Sequence, residues 1–452
     1  MDQNQKPVFI VGTLQEAGRI RAAGHQAEAT QVLEVWDKSN LALDLERRGA
    51  YAIVLLGGEA AAEFSEACEQ AGAAFVVIEP DRVARAMADE AGFSSFLDDA
   101  EREAMERQAV AIEEAHRSQL QRMGVYDVMD VAIELYNGDV DRERVPTGLQ
   151  ALDDAMGGGL PTGGLTVLGA TSSTGKTTLA LQVADEIAKG GRPVLFVTVE
   201  QGRHELVAKS ISRLIRLIPT RNGGYYVASA SDLQSARARE KWGAPLHAAF
   251  EKACSDYSAG IAPCMRFMEL AEQPTTEQIR RAAVAMQEHM GVAPCVFVDY
   301  LQLLAPANER MTERQAVDHN VMDLRHLARD LQTCVFVISS LNRASYSEGV
   351  TQEAFKESGA IEYGSDLLLG MQPMGLTERL EAVPESKQKR EARKAEREFK
   401  GRANREVEVR ILKNRGGAVP SEGVPLDYSA VCNLFTCGTA GAAAKRGKRP
   451  RL

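Results

Sequence analysis

Residues 163–188 read GGLTVLGATSSTGKTTLALQVADEIA and join an apolar run to an amphipathic segment through a loop of small residues. The apolar run covers 165–168, which is the length of a short buried strand. Leu179, Val183 and Ile187 then recur at every fourth position, as on one face of a helix. This order of strand, Gly/Ser/Thr-rich loop and helix is typical of nucleotide sites. The stretch therefore predicts an α/β domain that binds phosphate groups.

The loop within this stretch matches the pattern A/G-x-x-x-x-G-K-S/T and is a candidate phosphate-binding loop, or P-loop. Its backbone N–H groups are expected to surround phosphates at the start of the helix. We expect Lys176 to neutralise the β- and γ-phosphates and the Thr177 hydroxyl to bind Mg²⁺, so ATP and Mg²⁺ are the predicted cofactors. The predicted nucleotide-binding residues are Ala170, Thr171, Ser172, Ser173, Thr174, Gly175, Lys176, Thr177 and Thr178.

Two carboxylates at predicted strand ends are further candidates for this site. Asp299 follows the apolar run at 295–298, and a carboxylate on a strand that neighbours the P-loop strand can hold the metal's water shell. Glu200 ends the sequence PVLFVTVE and would polarise the attacking water if its strand lies beside the P-loop strand. We therefore predict Asp299 as a metal residue and Glu200 as a catalytic residue.

The composition excludes several classes of protein. Lys and Arg number 53 against 63 Asp and Glu among 452 residues, and 44% of the chain is hydrophobic, as in a globular protein of two or three domains. Seven cysteines without a C-x-x-C pair support neither a zinc ribbon nor a disulfide framework. No apolar stretch approaches the roughly 18 residues of a membrane helix, and no signal-peptide pattern begins the chain. We therefore expect a cytoplasmic protein without a membrane partner.

The first part of the chain has its own α/β pattern. Apolar or β-branched runs at 7–12, 50–56 and 74–79 predict strands, and the segments at 59–70 and 82–90 predict helices between or after them. Strands that alternate with helices form a parallel sheet. We therefore predict a small α/β domain before the nucleotide-binding domain.

A charged, Ala-rich segment without Gly or Pro covers 98–123 and predicts a long exposed helix between the two domains. Its simplest role is that of a solvated spacer, and docking to a neighbouring subunit is the alternative. The predicted domains are the α/β domain 1–97, the helical linker 98–140, the ATPase domain 141–437 and a basic flexible tail 438–452.

Several motifs in a fixed order resemble those of one family. From residue 145 to residue 435 the chain is similar to the RecA-fold motor domain of DnaB-like replicative helicases. Besides the P-loop, the resemblance rests on VTVEQ (197–201), DYLQLL (299–304), CVFVISSLNR (334–343), KESGAIEYGSD (356–366) and VEVRILKNRGG (407–417). The resemblance implies a RecA-like P-loop ATPase fold and a hexameric ring with ATP at each subunit interface.

The resemblance also implies roles for individual residues. In that family the position of Glu200 is the catalytic glutamate, and the position of Asp299 is the aspartate that binds the metal. The positions of Lys413 and Arg415 reach the γ-phosphate of a neighbouring subunit, which makes both predicted catalytic residues, together with Lys176. Ser340 departs from the family pattern, which has Gln or His at this position to sense the γ-phosphate.

The sequence before Lys413 and Arg415 predicts where these two cations lie. Val407, Val409 and Ile411 alternate with polar residues and predict a half-buried strand. Lys413 and Arg415 would then lie on a loop at the end of the sheet, where Gly416 and Gly417 permit flexibility.

Single-stranded DNA is the predicted partner. The polar segment 305–320 follows Asp299 at the place where the family presents a loop to the central channel, and Asn308, Arg310 and Arg314 are candidates to contact phosphates. Two basic segments, 385–405 and 445–452, are interpreted as solvated faces, with nucleic-acid tethering as the alternative.

The first domain is similar to the TOPRIM fold of bacteriophage primase-helicases. That fold binds Mg²⁺ through acidic residues after two of its strands, where this chain has Gly12, Thr13, Gly57 and Gly58. We therefore predict a degenerate TOPRIM domain without primase activity, and an unrelated Rossmann-like domain is the alternative.

The function that these patterns predict is an ATP-dependent DNA helicase or translocase acting in replication of a chromosome, phage or mobile element, with a primase or loader as a further partner. A RadA/KaiC-type ATPase of the same fold is one alternative, suggested by GGGLPTGGLTVLGA (157–170). The other is a non-processive ATP switch that serves as a DNA-binding scaffold or loader.

Overall fold

The chain divides into two compact units, Met1–Asp141 and Arg142–Leu452. Among the described residues, no helix is long and apolar enough to cross a membrane. The computed structural model describes residues 7–11, 13–29, 52–56, 74–88, 90–137, 143–171, 173–270, 272–308, 310–341, 349–355 and 359–438.

The first unit contains a parallel sheet with the strand order β2-β1-β3-β4. These strands are β1 (Val8–Val11), β2 (Gln26–Ala29), β3 (Ala52–Leu56) and β4 (Ala74–Ile78). The apolar runs predict β1, β3 and β4, whereas β2, with the sequence QAEA, lacks the apolar pattern that makes a strand recognisable. The predicted helix at 59–70 lies outside the described residues.

The helices of the first unit include one that starts earlier than predicted. The described helices are α1 (Leu14–Ala22), α2 (Pro80–Ala88), α3 (Glu90–Arg122) and α4 (Val128–Asn137). The long helix α3 begins at Glu90 and not at Asp98, because Phe93 and Leu97 are buried in one core with Phe9. Its first turns are therefore part of the domain core and not of an exposed linker.

The second unit is built on a sheet in the order β15-β14-β13-β12-β7-β11-β10-β8-β9. From β12 to β9 neighbouring strands are parallel, and from β12 to β15 they are antiparallel. A small pair, β5 and β6, precedes it. The strands are β5 (Arg144–Val145), β6 (Leu160–Pro161), β7 (Leu165–Ala170), β8 (Val194–Thr198), β9 (Met265–Glu269), β10 (Cys295–Asp299), β11 (Val335–Ser340), β12 (Leu367–Pro373), β13 (Asn404–Asn414), β14 (Val424–Ser429) and β15 (Leu434–Cys437).

Helices cover both faces of this sheet. Leu179, Val183 and Ile187 are buried on one face, as their spacing predicts, while Ile279 and Leu324 of two later helices are buried on the other. The helices are α5 (Gln150–Met156), α6 (Lys176–Lys189), α7 (Arg203–Leu217), α8 (Ala230–Gln234), α9 (Ala236–Arg239), α10 (Ala244–Gly260), α11 (Thr276–Met290), α12 (Glu313–Asp330), α13 (Gly359–Gly364), α14 (Leu376–Glu381) and α15 (Glu385–Lys400).

The charged segment that begins at residue 385 forms the helix α15, which packs against α14. Arg379 of α14 donates hydrogen bonds to Glu391 at 2.6 Å and to Glu398 at 2.9 Å. Part of the charge in this segment is therefore neutralised within the fold. The apolar contact between the two helices consists of Leu376, Leu380, Ala392 and Ala395.

The strand order corrects the expectation for Asp299 and does not meet the condition set for Glu200. The P-loop strand β7 lies between β12 and β11, so β10, which ends in Asp299, is not its neighbour. The strand β8, which precedes Glu200, is separated from β7 by both β11 and β10. Local patterns predict a strand but not its neighbours, since pairing is set by contacts distant in the chain. All four strands are parallel, so their carboxyl ends meet at the same edge of the sheet.

Candidate active site

The P-loop connects the carboxyl end of β7 to the amino end of α6. Gly175 precedes the helix with a φ of 94°, in the left-handed region that favours glycine. An added Cβ at Gly175 would also lie 2.9 Å from both the Tyr428 and Phe435 rings. The Thr174 hydroxyl donates to the Thr171 carbonyl at 2.7 Å and holds the loop closed. Ser172 lies outside the described residues.

Helix α6 therefore starts with unpaired N–H groups directly after a tight loop, which is the arrangement that binds anions. Lys176 and Thr177 occupy its first turn, where the positive end of the helix dipole adds to the lysine charge. The structure thus places the predicted phosphate-binding residues together in one loop and helix start.

Asp299 lies beside this helix start and is almost completely buried, with an exposure of 2%. Burial raises the pKa of Asp299, while a hydrogen bond with the Thr177 hydroxyl and the charge of Lys176 lower it. No hydrogen bond reaches Oδ2 of Asp299 from the described residues. A buried carboxylate oxygen without a partner, next to a threonine hydroxyl, fits the ligand preference of Mg²⁺.

The charges of two carboxylates act on Lys176. Burial lowers the pKa of Lys176, and the charges of Asp299 and Glu200 oppose this effect. Glu200 is exposed and follows β8, whose last residue, Thr198, pairs with Asp299. Glu200 is therefore brought near the P-loop through β10, although β8 is not adjacent to β7.

Gln302 is a site residue that the sequence motifs did not single out. It lies in the 3-10 turn Leu301–Leu303 after β10, and its Nε2 donates to the Ser339 hydroxyl at 3.0 Å. Its Oε1 accepts from the Ser340 N–H at 3.1 Å. Ser340 pairs with Ala170, so this amide lies beside the start of the P-loop. A polar residue three positions after the acid at a predicted strand end was the available signal.

Arg405 and Tyr428 are two more residues at this edge of the sheet that the sequence did not indicate. Nη1 of Arg405 donates to the Ser173 carbonyl at 2.8 Å, and its guanidinium carbon lies 5.8 Å from the centre of the Tyr428 ring. Both line an open cavity of about 490 Å³. The two residues lie more than 200 positions from the P-loop in sequence, so no local pattern could assign them.

Lys413 and Arg415 lie at the opposite edge of the sheet. Asn414 pairs with Leu367, which pairs with Thr166 at the amino end of β7, whereas the P-loop follows Ala170 at its carboxyl end. Thr166 and Ala170 are four residues apart in the strand, which corresponds to about 13 Å. The two cations are therefore not brought to the P-loop of their own chain.

Both cations are held by backbone oxygens close to α13. Lys413 is part of the strand β13 and does not lie on a loop as predicted. Its Nζ donates to the carbonyls of Glu362 and Ser365, and burial, followed by repulsion from Arg415, lowers its pKa. Arg415 lies just beyond the strand and donates to the Tyr363 carbonyl at 2.6 Å. These contacts fix the direction of both side chains.

The predicted DNA-contacting residues lie on an exposed loop and the first turn of α12. Asn308 Oδ1 accepts from the Arg310 N–H at 3.0 Å, which shapes the loop. Asn308, Arg310 and Arg314 are exposed, and neither arginine forms an ion pair with another residue in the described ranges. The loop therefore offers two cations to a partner.

The chain is similar to known proteins over this region. The family model of the DnaB-like helicase C-terminal domain matches residues 144–436. The replicative DNA helicase DnaB of Leifsonia xyli subsp. xyli is 27% identical over 231 residues, which are 50% of this chain and 46% of that protein. The chain spans about half the length of the curated relatives it matches.

Two solved structures share the fold. One is a structure of an ATPase domain, with a TM-score of 0.53 and 22% identity, in which 68% of this chain and 96% of that chain are covered. The other is a DnaB-like replicative helicase, described with its interactions with primase, with a TM-score of 0.52 and 20% identity, in which 87% and 90% are covered. The predicted RecA-like P-loop ATPase fold is confirmed by these matches.

Proposed function

The chain belongs to the DnaB-like helicase C-terminal domain family, and we propose from this membership that it is an ATP-dependent DNA helicase or translocase. Its proposed substrate is single-stranded DNA, in the replication of a chromosome, a phage or a mobile element. The proposal rests on the grouping of Lys176, Thr177 and Asp299 with Glu200 at one edge of the sheet. The RadA/KaiC-type alternative is not favoured, because the matching family is the DnaB-like one.

In the proposed reaction the P-loop residues bind ATP and Glu200 acts on water. Lys176 and the first N–H groups of α6 neutralise the β- and γ-phosphates. Thr177 and Asp299 would hold Mg²⁺, which supplies further positive charge to the phosphates when bound. Glu200 is exposed, so water reaches its carboxylate, which then orients and polarises the attacking molecule.

Arg405, Tyr428 and Gln302 extend this assignment beyond the phosphates. Arg405 is anchored to the P-loop through Ser173 and lines the cavity, and a guanidinium group can stack on the flat face of a nucleobase. We assign the cavity beside them to the base of ATP. Gln302 is assigned to transmit the state of the nucleotide, because it contacts the backbone of Ser340, where the family has a longer sensor side chain.

The proposed assembly is a ring of six copies. Arg415 and Lys413 lie at the edge of the sheet away from their own P-loop, so they can complete a site only on another subunit. Helix α4 supports association, because it exposes apolar side chains such as Val128 and Tyr136, the latter 91% exposed. A helix that exposes such a surface is expected to be covered by a partner. We assign this partner to a second copy of the chain.

The proposed DNA contact is the loop that carries Asn308, Arg310 and Arg314. Exposed cations without an ion pair among the described residues can bind phosphates at low cost in desolvation, without reading the bases. A primase or a loader is proposed as a further partner. The cytoplasmic location also stays a prediction.

The first unit is proposed to be a degenerate TOPRIM domain that does not synthesise primers. Thr13 stands where that fold has a metal-binding acid, and it caps α1 instead. Its hydroxyl donates to the Glu16 carboxylate at 2.9 Å, so this nearby acid is occupied in the same cap. The positions Gly12, Gly57 and Gly58 lie outside the described residues.

The experiment that tests the function measures two activities of the same protein. We expect ATP hydrolysis to increase with single-stranded DNA and a labelled strand to be displaced from a forked duplex. Lys176→Ala should lose both activities and keep its fold, because the lysine contacts phosphates and not the core. Weak DNA-stimulated hydrolysis without any strand displacement would instead favour the ATP-switch alternative.

A further inference from the structure

A second group of polar side chains lies in the first unit, away from the nucleotide site. His25 directly precedes β2, and Asp98 and Glu101 lie three residues apart on α3, which places both carboxylates on one face of the helix. His25 is at the amino end of its strand. The metal-binding acids of a TOPRIM fold would follow the carboxyl ends of strands, so this group lies at the other edge of the sheet.

The three side chains are close enough to share one ion. Nδ1 of His25 lies 3.2 Å from Oε2 of Glu101, and Nε2 lies 3.6 Å from Oδ1 of Asp98. One ligand atom from each residue can be chosen so that all three lie within 4.8 Å of one another. Two ligands bound at about 2.0–2.2 Å from one metal ion lie at most about 4.4 Å apart, so small side-chain movements would bring these three atoms onto one ion.

Two buried atoms of this group make no hydrogen bond to a described residue, although Nδ1 of His25 lies within ion-pair distance of Glu101. His25 has an exposure of 8%, and its ring is packed edge-on against Phe9 with 5.6 Å between ring centres. Neither Nδ1 of His25 nor Oε1 of Glu101 makes a hydrogen bond to another described residue. Buried nitrogen and oxygen atoms are normally paired by hydrogen bonds, so two unpaired atoms in one cluster are open to a ligand. Asp98 is largely exposed and leaves a path from solvent.

We propose that His25, Asp98 and Glu101 bind a divalent transition metal ion of the Zn²⁺ class. An imidazole nitrogen with two carboxylates is a ligand set that Zn²⁺ accepts, whereas Mg²⁺ prefers oxygen ligands alone. The two carboxylates balance the charge of the ion, and water completes its shell. The metal links the start of β2 to α3, and its role is to fix this helix on the sheet.

The test is a calorimetric titration of Zn²⁺ into the full chain, stripped of metal and free of nucleotide. The parent protein is expected to show one binding site that His25→Gln and Glu101→Gln lose. Asp98→Asn should weaken this site at least tenfold, and its exposed position makes misfolding no concern. His116→Gln and Glu106→Gln are the matched controls, because both residues are exposed and lie on α3. Both variants should bind Zn²⁺ with the affinity of the parent protein.

A second measurement follows the melting temperature with and without Zn²⁺. We expect the ion to raise it in the parent and in both controls, but not in the three site variants. Equal Zn²⁺ affinity and equal thermal shifts in all six proteins would mean an adventitious cation only, and His25 would then be a buried partner in an ion pair. If His25→Gln fails to fold, the Zn²⁺ affinity and the thermal shift of Asp98→Asn, compared with those of the parent protein, decide whether the site binds metal.

Discussion

At the scale of single residues, a substitution of Glu200 should affect ATP hydrolysis without affecting ATP binding. Glu200→Gln keeps the size of the side chain but cannot polarise water, so hydrolysis should fall by about 10²–10⁴-fold. ATP binding should be unchanged, because Lys176 and the P-loop remain. Nucleotide binding by fluorescence titration, alongside steady-state hydrolysis, checks this. A large loss of ATP affinity would mean that Glu200 has a structural role.

We expect the carboxylate of Asp299 to lower the stability of the fold although hydrolysis requires it. Burial raises its pKa, so the folded state disfavours the ionised form and loses stability as the pH rises from the unfolded pKa through the folded one. Asp299→Asn should therefore raise the free energy of unfolding without nucleotide by on the order of 1 kcal/mol at neutral pH. It should also abolish Mg²⁺-dependent hydrolysis.

Urea unfolding at several pH values measures this effect. The difference between Asp299→Asn and the parent should shrink in acid, where the aspartate is also neutral. Glu251→Gln, an exposed acid on α10, is the matched control and should change neither stability nor hydrolysis. A destabilised Asp299→Asn protein at neutral pH would contradict the argument.

At the scale of elements, the loop after β10 and the first turn of α12 together present two positively charged side chains, Arg310 and Arg314. The double variant Arg310→Ala with Arg314→Ala should weaken binding to single-stranded DNA and reduce the salt dependence, since each lost phosphate contact lowers the slope of log K against log salt by about 0.7. Anisotropy titrations at several salt concentrations measure both quantities. Arg237→Ala, an exposed cation elsewhere, is the control. An unchanged slope would place the DNA contact on another element.

Strand β13 carries a cation near each of its ends. Arg405 at its start contacts the P-loop, and Arg415 just beyond its end lies at the other edge of the sheet. Ten residues of strand span about 33 Å, so both cannot act on one nucleotide. In the proposed ring, the strand would carry one cation for the site of its own subunit and one for the site of another subunit.

At the scale of the whole molecule, this arrangement predicts complementation between two inactive proteins. Arg415→Ala should lose hydrolysis, since arginine fingers contribute on the order of 10³–10⁵ in turnover, yet still bind ATP through its own P-loop. Mixed with Lys176→Ala, it should regain part of the activity, because an intact P-loop then meets an intact Arg415 from its neighbour. Hydrolysis rates across a series of mixing ratios measure the effect.

The control for this experiment is the physical formation of mixed rings, followed by differently labelled subunits. Each protein alone should stay inactive at the same total concentration. If mixed rings form and no activity returns, Arg415 acts within its own chain or lies on an ordinary surface, and the proposed ring mechanism would be wrong.

The amino-acid sequence by itself determined the local parts of this protein. The P-loop with its strand and helix, the burial of Leu179, Val183 and Ile187, and the family resemblance follow from patterns within short segments, because spacing and residue type act locally. These patterns also identified Asp299 and Glu200 as acids at strand ends. They could not give the strand order: Asp299 was wrongly expected on a neighbour of β7, and the condition set for Glu200, that β8 lies beside β7, is not met.

Only the tertiary structure decided which distant residues share an edge of the sheet. It brought Arg405 to Ser173, Gln302 to Ser340 and His25 to α3, because strand pairing and helix packing join segments whose separation in sequence has no fixed relation to distance. It also extended α3 into the core of the first unit and moved Lys413 from a loop into β13, since burial of side chains sets where an element begins and ends.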